Sequence, residues 1–305
     1  MSRPPQPDAS PAPEGLLGRA ESDLYTEWKR RGKHWEEYGA EFLLTTFSVF
    51  CVVGVVAWMF GQSSPVPHAV PSHALRLLLT GLLLGGVGWL TAISPPGRLS
   101  GAHANPAVSL GFWVLGKMHA RDFAGYVAGQ MPGAALGGIL GSLVFGRLAR
   151  QVHDAALSPG PAVGPLIAFL AEIGATFALT FLVYTCVSHK ALMRWTPAAA
   201  MVAVGLLVWL DGSVSGGGMN PARWFGPAAA APDWRLAWVY LLGPLLGAAG
   251  AAGLRRTGVF THPVPHTGKM YHDSGYRSVF RYDHVPTTPP ASVRSAVARS
   301  GAGGP

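Results

Sequence analysis

Long apolar stretches separated by short polar ones dominate the chain between residues 42 and 254. Six of them approach the roughly 20 apolar residues that a helix needs to cross a bilayer. These predicted spans cover residues 42–60, 74–93, 123–145, 166–187, 195–210 and 236–254. Two further apolar stretches, residues 102–115 and 219–231, are too short to cross. The pattern predicts an all-α membrane protein with six transmembrane helices and two re-entrant half-helices.

The composition agrees with a lipid environment. Charged residues make up 12% of the 305 residues, whereas soluble domains carry about a quarter. The mean hydropathy is +0.28. The net charge of +8 comes from basic residues that flank apolar stretches, which favours membrane topology over nucleic-acid binding. Cys51 and Cys186 lie inside apolar stretches without metal-ligand spacing, so neither a disulfide nor a metal site is expected.

Basic residues concentrate before the first predicted span and in every second loop. They are Arg30, Arg31, Lys33, Arg98, Lys117, Arg121, Lys190, Arg194, Arg255 and Arg256. The opposite loops carry fewer, with Arg147, Arg150 and Arg235 as exceptions, and residues 61–73 contain none. Because cytoplasmic loops are enriched in Lys and Arg, both termini are expected in the cytoplasm, with the chain in a plasma or inner cell membrane.

The two halves of the chain repeat each other. Ala40-Glu41-Phe42 corresponds to Ala171-Glu172-Ile173, and the two Asn-Pro-Ala motifs are offset by 220 − 105 = 115 residues. Each copy holds three spans, an odd number, so the second copy enters the membrane from the other side as an inverted repeat. The expected domains are an N-terminal segment (1–37), a channel domain (38–254, repeats at about 38–146 and 165–254) and a disordered cytoplasmic tail (255–305).

Each short apolar segment begins with an Asn-Pro-Ala motif, residues Asn105, Pro106 and Ala107 in the first and Asn220, Pro221 and Ala222 in the second. Asn caps the unpaired N–H groups at a helix start, and Pro suits the first helical position. Two such starts that meet at mid-membrane bring two positive dipole ends together. The Asn side-chain amides are expected to stay free to donate into the pore, where the positive ends oppose cations, including hydronium.

The two motif regions resemble the pore loops of the aquaporin (major intrinsic protein) family. The first reads SGAHANPAVSLG from residue 100 and the second SGGGMNPARWFGP from residue 215, while Glu41 and Glu172 match the family's paired membrane glutamates. The resemblance covers about residues 38–254. It implies a homotetramer with one pore in each subunit, embedded in lipid and without cofactor, metal or nucleic-acid partner.

Glu41 and Glu172 are buried carboxyl groups in predicted spans, a position that is costly and usually functional. A proton relay is one interpretation. The resemblance implies another, in which each carboxylate accepts hydrogen bonds from backbone N–H groups of the neighbouring pore loop and supports it. His103, beside the first motif, is expected to be a structural hydrogen-bonding residue.

Arg223 follows the second motif directly, where the family has the arginine of its selectivity filter. An Arg at membrane depth costs about 2.5–3.5 kcal/mol on insertion scales, which indicates function. Counting along the family pattern adds Gly217, Val208 and Gly85 to the filter. This filter lacks bulk and resembles the wide filters of metalloid channels. The counting leaves Leu84 as an alternative to Gly85, because the Pro95-Pro96-Gly97 stretch can shift the count by one residue. Gly81 and Gly85 also have a helix-packing spacing, which offers a structural role for Gly85.

These features predict a channel rather than an enzyme. It would pass small uncharged solutes passively, namely water with glycerol or metalloid hydroxides such as silicic and arsenious acid, and exclude protons and ions. A water-selective channel of the same fold is the alternative. A secondary transporter is more remote, since Glu41 and Glu172 are the only candidate ion-coupling carboxylates in the predicted spans. An intramembrane enzyme lacks a catalytic constellation in those spans.

Overall fold

The computed structural model describes residues 32–258, 265–273 and 275–280, and its regular structure is helical. The helices are α1 (Trp35–Phe60), α2 (Val66–Ala69), α3 (His73–Ile93), α4 (Pro95–Ser100), α5 (Pro106–Val114), α6 (Ala120–Arg150), α7 (Pro165–Val187), α8 (Thr196–Asp211), α9 (Pro221–Ala230) and α10 (Ala237–Arg256), with 3₁₀ turns at His153–Ala155 and Met193–Trp195. Most of the predicted N-terminal segment, residues 1–31, lies outside the described residues, as do residues 281–305.

Six helices of the described chain are long and apolar enough to cross a membrane: α1, α3, α6, α7, α8 with its preceding 3₁₀ turn, and α10. The prediction of six spans and two short helices is therefore confirmed. Several helices are longer than their predicted spans, because hydropathy finds only the part suited to lipid. Helix α1 begins at Trp35 rather than at residue 42, and α6 runs from Ala120 to Arg150 with a break in helical geometry at Gly146.

The helix pairs follow the inverted repeat. Helix α1 packs on α6 in the first half just as α7 packs on α10 in the second. Helices α3 and α8, which are equivalent to each other, pair across the boundary between the halves. The short helices cross over as well, since α5 packs on α10 and α9 packs on α6. Each re-entrant helix is therefore enclosed by the opposite repeat, which shields its backbone from lipid.

Glycines let the paired helices approach closely. A Cβ atom added at Gly129 would lie 2.5 Å from the carbonyl oxygen of Tyr38, and one at Gly133 equally close to that of Phe42. In the second half, a Cβ at Gly247 would lie 2.5 Å from the carbonyl oxygen of Ile173. Contacts this short admit no side chain, so the small residues of α6 and α10 set the spacing of the bundle.

The bundle has two faces. The terminal face holds the first residue of α1, Trp35, and the last residue of α10, Arg256, because six crossings return the chain to the side where it began. The distal face holds the end of α1 at Phe60 and the start of α3 at His73. Helix α5 runs from mid-bundle toward the terminal face, and α9 runs from mid-bundle toward the distal face.

Part of the segment predicted to be a disordered tail is packed against the bundle, whereas residues 259–264, 274 and 281–305 of it lie outside the described residues. Residues 265–273 and 275–280 pack on the terminal face, where Lys269, Val279 and Phe280 have no exposed surface. Their partners are distant in sequence, as in the bond from the Met270 amide to the Gly101 carbonyl, at 2.9 Å. The sequence shows no periodicity there because these contacts do not depend on a regular helix or strand.

Candidate functional site

The two Asn-Pro-Ala motifs begin the two re-entrant helices as the capping argument predicts. The side-chain oxygen of Asn105 accepts the Ala107 N–H at 2.8 Å, and that of Asn220 accepts the Ala222 N–H at 2.9 Å. Both Asn residues have extended backbone, and Pro follows each at the first helical position. The caps satisfy one N–H at each helix start, which stabilises the helix beginning at that residue.

The motifs also bind each other across the middle of the bundle. The Asn105 amide nitrogen donates to the Met219 carbonyl at 3.0 Å, and the Asn220 amide nitrogen donates to the Ala104 carbonyl at 2.9 Å. The expectation that these amides donate into the pore therefore concerns only the one N–H of each that does not bind the opposite loop. Each amide carries two N–H groups, so one locks the opposite loop and one is left over. The reciprocal bonds join the two halves.

Glu41 lies under the first pore loop, residues 101–105, as a fully buried acceptor. Its Oε1 accepts the His103 N–H at 3.0 Å and the Ser100 hydroxyl at 2.7 Å. Its Oε2 accepts the Ala104 N–H at 2.8 Å and the Gln130 amide at 2.6 Å. Four donors therefore converge on one carboxylate, which compensates the cost of burying its charge.

Glu172 occupies the equivalent place under the second pore loop, residues 216–220, and is also fully buried. Its Oε1 accepts the Gly218 N–H at 2.8 Å and the Ser215 hydroxyl at 2.7 Å, and its Oε2 accepts the Met219 N–H at 2.7 Å. Ser215 differs from its counterpart Ser100, because its hydroxyl oxygen also lies 2.6 Å from Asp211 Oδ2. One hydroxyl proton therefore serves two carboxyl groups in this half.

The His103 side chain makes hydrogen bonds through both ring nitrogens and packs against aromatic rings. Its Nδ1 lies 3.0 Å from the Ser109 hydroxyl and its Nε2 lies 2.9 Å from the Gly268 carbonyl. A carbonyl only accepts, so Nε2 carries the proton. The ring stacks on Phe112 with centroids 4.8 Å apart and meets Tyr126 edge-on at 5.3 Å. His103 thus joins the first pore loop to helix α5 and to the C-terminal segment.

A cavity of ≈ 210 Å³ lies between the distal face and the second pore loop. Its wall begins at Phe60 and His73 on the distal face and continues inward to Leu84, halfway along α3. Three of the four residues assigned to the filter, Val208, Gly217 and Arg223, also line this cavity. Gly217 has a φ of +67°, a conformation that glycine adopts without strain.

Gly85 does not belong to this constriction, which corrects its assignment to the filter. A Cβ atom at Gly85 would point at the backbone of helix α8, 2.6 Å from the Met201 carbonyl oxygen. Gly81 faces the same helix, 2.8 Å from the Gly205 Cα. These glycines are where α3 and α8 touch, and Leu84 reaches the cavity instead. The short helix α4 spans the Pro95-Pro96-Gly97 stretch, over which the residues were counted.

Arg223 lies in the first turn of α9, and only 9% of it is exposed. Its Nη1 donates to the carbonyl oxygen of Ala155 at 2.9 Å. Ala155 belongs to the 3₁₀ turn after α6, where the backbone takes a positive φ of 64°. The bond fixes the guanidinium in the cavity wall, where its other N–H groups are available to a solute oxygen.

Sequence reasoning missed several residues that support the pore loops. The Tyr126 hydroxyl donates to the Ser100 carbonyl and the Tyr240 hydroxyl donates to the Ser215 carbonyl, at 2.5 and 2.7 Å. The signal was present, because 240 − 126 = 114 and 215 − 100 = 115 match the repeat offset. Gln130 had no such signal, since it binds Glu41 from the middle of α6. No group of three His, Cys, Asp or Glu side chains among the described residues has metal-binding geometry.

Comparison with known proteins gives one consistent result. The model of the family described as "Major intrinsic protein" matches residues 27–254. Aquaporin TIP2-1 of Arabidopsis thaliana is 34% identical over 232 residues, 75% of this chain and 89% of that protein. Probable aquaporin NIP7-1 of the same plant is 30% identical over 217 residues, 70% and 77% of the two chains.

A solved structure, the X-ray structure of the aquaglyceroporin from Plasmodium falciparum, has the same fold. The TM-score is 0.57 at 23% sequence identity, and the match covers 72% of this chain and 94% of that one. At that identity the likeness concerns the fold alone. It agrees with six long helices and two re-entrant ones as the frame of the chain.

Proposed function

Because the chain belongs to the major intrinsic protein family and is a multi-pass membrane channel, we propose that it passes water and small uncharged polyhydroxylated solutes, with glycerol first among them. Four residues carry the proposal: Leu84, Val208, Gly217 and Arg223 all line the same cavity beside the second pore loop. Leu84 and Val208 are apolar, whereas Arg223 presents hydrogen-bond donors. A solute with hydroxyls on one edge and C–H groups on the other matches both kinds of wall.

The presence of Leu84 rather than Gly85 in the cavity wall changes which solutes we expect the pore to admit. With Gly85 in the wall, the constriction would favour large metalloid hydroxides, which are polar on all sides. With Leu84 there, part of the wall becomes bulky and apolar and makes no hydrogen bond to a fully hydroxylated solute. Glycerol therefore fits this lining better than silicic or arsenious acid, which become the second class to test. A water-selective pore is the competing function.

Passage is passive in this proposal. A solute oxygen accepts hydrogen bonds from Arg223 and then from the N–H that each Asn amide does not use across the loops. The positive ends of α5 and α9 and the charge of Arg223 raise the energy of any cation. Glu41, Glu172 and His103 support the loops and do not relay protons. Their hydrogen bonds to loop backbone and to neighbouring structure support this role.

The surroundings of the channel follow the same reasoning. We place the terminal face in the cytoplasm, because it carries the basic loops that contain Arg98, Lys117 and Lys190. The membrane is the cell membrane, and the chain assembles as a homotetramer with one pore in each subunit. Crosslinking of the detergent-solubilised protein tests the assembly, and a tag on either terminus tests the orientation.

The test is stopped-flow light scattering on proteoliposomes with water, glycerol, urea, silicic acid and arsenious acid. Without any Na⁺ or H⁺ gradient, the wild type should pass water and glycerol. Leu84→Phe should lower the glycerol-to-water ratio about tenfold, since overpacking costs about 1–3 kcal/mol and about 1.4 kcal/mol corresponds to a factor of ten. Gly88→Ala is the matched control on α3, because an added Cβ there meets nothing within 4 Å.

The outcomes separate the alternatives. Passage of water without glycerol, urea or either metalloid acid would make the chain a water-selective channel and refute the proposal. Flux that requires a Na⁺ or H⁺ gradient would make it a secondary transporter. If the flux of silicic or arsenious acid exceeds that of glycerol, the chain is a metalloid channel with a wide filter.

A further inference from the structure

We propose that residues 265–273 and 275–280 form a plug that closes the terminal mouth of the pore, latched by Lys269 and Arg277, so that conduction requires its release. The plug comprises the described residues 265–273 and 275–280. The proposal goes beyond the choice of solute and needs only the passage of water through this family's pore.

The plug binds the pore loop itself. The Met270 N–H donates to the Gly101 carbonyl at 2.9 Å, and the Gly268 carbonyl accepts from His103 Nε2 at 2.9 Å. A solute that approaches Asn105 from the terminal face must pass the first pore loop, residues 101–105. The plug's main chain is therefore bonded to the loop that a solute from this face has to pass.

The plug also crosses from one repeat to the other. At its start, the His266 N–H donates to the Val187 carbonyl at the end of α7, at 2.8 Å. At its far end, Arg277 contacts Glu37 in the first turn of α1, with Nε 2.6 Å from Oε1. Met270 lies between these ends and packs on apolar clusters of both halves. A segment tied at α7 and at α1 spans the mouth between them.

Buried side chains fill the space beneath this crossing. Phe280 has no exposed surface, and its ring lies 5.3 Å from that of His103 and 6.2 Å from that of Tyr126. A Cβ atom at Gly101 would lie 2.9 Å from the Phe280 ring, so the ring sits directly on the first pore loop. Val279 is equally buried. The plug is therefore packed into the mouth and not merely laid over it.

Lys269 holds the plug in shape from inside. It is fully buried, and its Nζ donates to the carbonyls of Arg98 at 2.6 Å and of Arg277 at 2.7 Å. A third carbonyl, of Tyr276, lies at 3.4 Å. One ammonium thus ties the two ends of the plug to each other and to helix α4. Without it, buried carbonyls lose a donor that only the folded plug supplies.

Arg277 is the outer half of the latch. Its side chain is 13% exposed and pairs with Glu37, which is fully buried, and with Glu36, which is 71% exposed. The Glu37 pair carries more of the binding because exposed pairs contribute little. Arg98 and Asp273 add a weaker, partly exposed pair at 3.2 Å. The latch is thus made of polar contacts, and a short segment outside the helices is the kind of element that opens locally while the helices stay folded.

The experiment measures osmotic water permeability per reconstituted full-length protein, beside hydrogen exchange at the Met270 amide. Lys269→Met and Arg277→Gln should each raise the permeability about tenfold, and the Met270 N–H should lose protection in step. Arg235→Gln is the matched control. It removes an Arg–Asp pair of 2.7 Å on the distal face and should change neither measurement.

Three results would overturn the proposal. The first is a wild type that conducts water as fast as both variants while all three unfold at similar temperatures. The second is loss of Met270 protection without a rise in permeability, which would make the segment a structural strap. The third is that the variant carrying both Lys269→Met and Arg277→Gln changes neither the water permeability nor the Met270 protection. The glycerol-to-water ratio does not depend on the number of open pores, so failure of the solute proposal gives a different result.

Discussion

The terminal and distal mouths are built from equivalent parts and end differently. Each has a buried Glu under its pore loop, a Ser beside it and a Tyr hydroxyl on the Ser carbonyl. The distal mouth opens into a cavity of ≈ 210 Å³ lined by Arg223. On the terminal face, residues 265–273 and 275–280 from outside the repeat pack against the first pore loop. The repeat therefore determines the frame of both mouths, and a segment that has no counterpart makes them unequal.

A second difference lies within the frame. Glu41 receives its fourth hydrogen bond from the Gln130 amide, whereas Ser215 beside Glu172 is shared with the Asp211 carboxyl group. The glutamate under the terminal loop therefore has a neutral amide as a neighbour, whereas the glutamate under the distal loop has a second carboxyl group nearby. Both loops end at the same Asn caps, so this difference alters the support of the loops and not their position.

The largest expected effect is on stability, and it comes from replacing the buried glutamates that support the two pore loops. Glu41→Gln leaves two of four donors without an acceptor, and we expect unfolding to cost about 3–5 kcal/mol less. Glu172→Gln strands fewer donors, for a loss of about 1–3 kcal/mol. Thermal unfolding in detergent measures both, and Glu36→Gln on the exposed surface is the control. Normal stability with a lost proton-driven flux would contradict the support role.

The next prediction tests whether Gly85 packs on helix α8 or lines the distal cavity. Gly85→Ala places a methyl group 2.6 Å from the Met201 carbonyl oxygen, so we expect a loss of about 1–3 kcal/mol in stability. The glycerol-to-water ratio should stay the same, because Gly85 does not line the cavity. Thermal unfolding and stopped-flow scattering on one preparation decide it. A changed ratio at unchanged stability would put Gly85 back in the filter.

Arg223→Leu tests whether the distal mouth carries the cation barrier. The change removes a fixed positive charge from the cavity wall, and we expect a cation leak about tenfold above wild type. Dye-reported proton and K⁺ flux into proteoliposomes measures this leak. Arg147→Leu, which removes an Arg near the distal end of α6, is the comparison. An unchanged leak would leave the facing ends of α5 and α9 as the whole barrier.

The smallest effect concerns salt at the terminal mouth. Raising the ionic strength should weaken the exposed Arg277–Glu36 and Arg98–Asp273 pairs and spare the buried Lys269 contacts. We expect less than about a twofold rise in water permeability, in line with the small energy of surface pairs. The Arg277→Gln variant should respond less than the wild type. A larger response in the variant would assign the salt effect to another part of the chain.

The sequence alone determined the frame of this protein. Apolar length located the six crossings, and the offset of 115 residues between Asn105 and Asn220 revealed the inverted repeat. Capping preferences then indicated where both re-entrant helices begin, because Asn is a favoured N-cap residue and Pro is favoured at the first helical position. These inferences succeed because they depend on local composition and spacing, which survive without knowledge of the fold.

The tertiary structure decided which side chains reach the pore and what covers its mouths. Leu84 and Gly85 are neighbours, and only the packing of α3 on α8 turns one into the cavity and the other onto Met201. The reciprocal Asn bonds need the two loops already in contact. The plug depends on pairs as distant as Glu37 and Arg277. Such contacts leave no periodic pattern in a polar segment, since they arise only when the completed bundle offers a surface to bind.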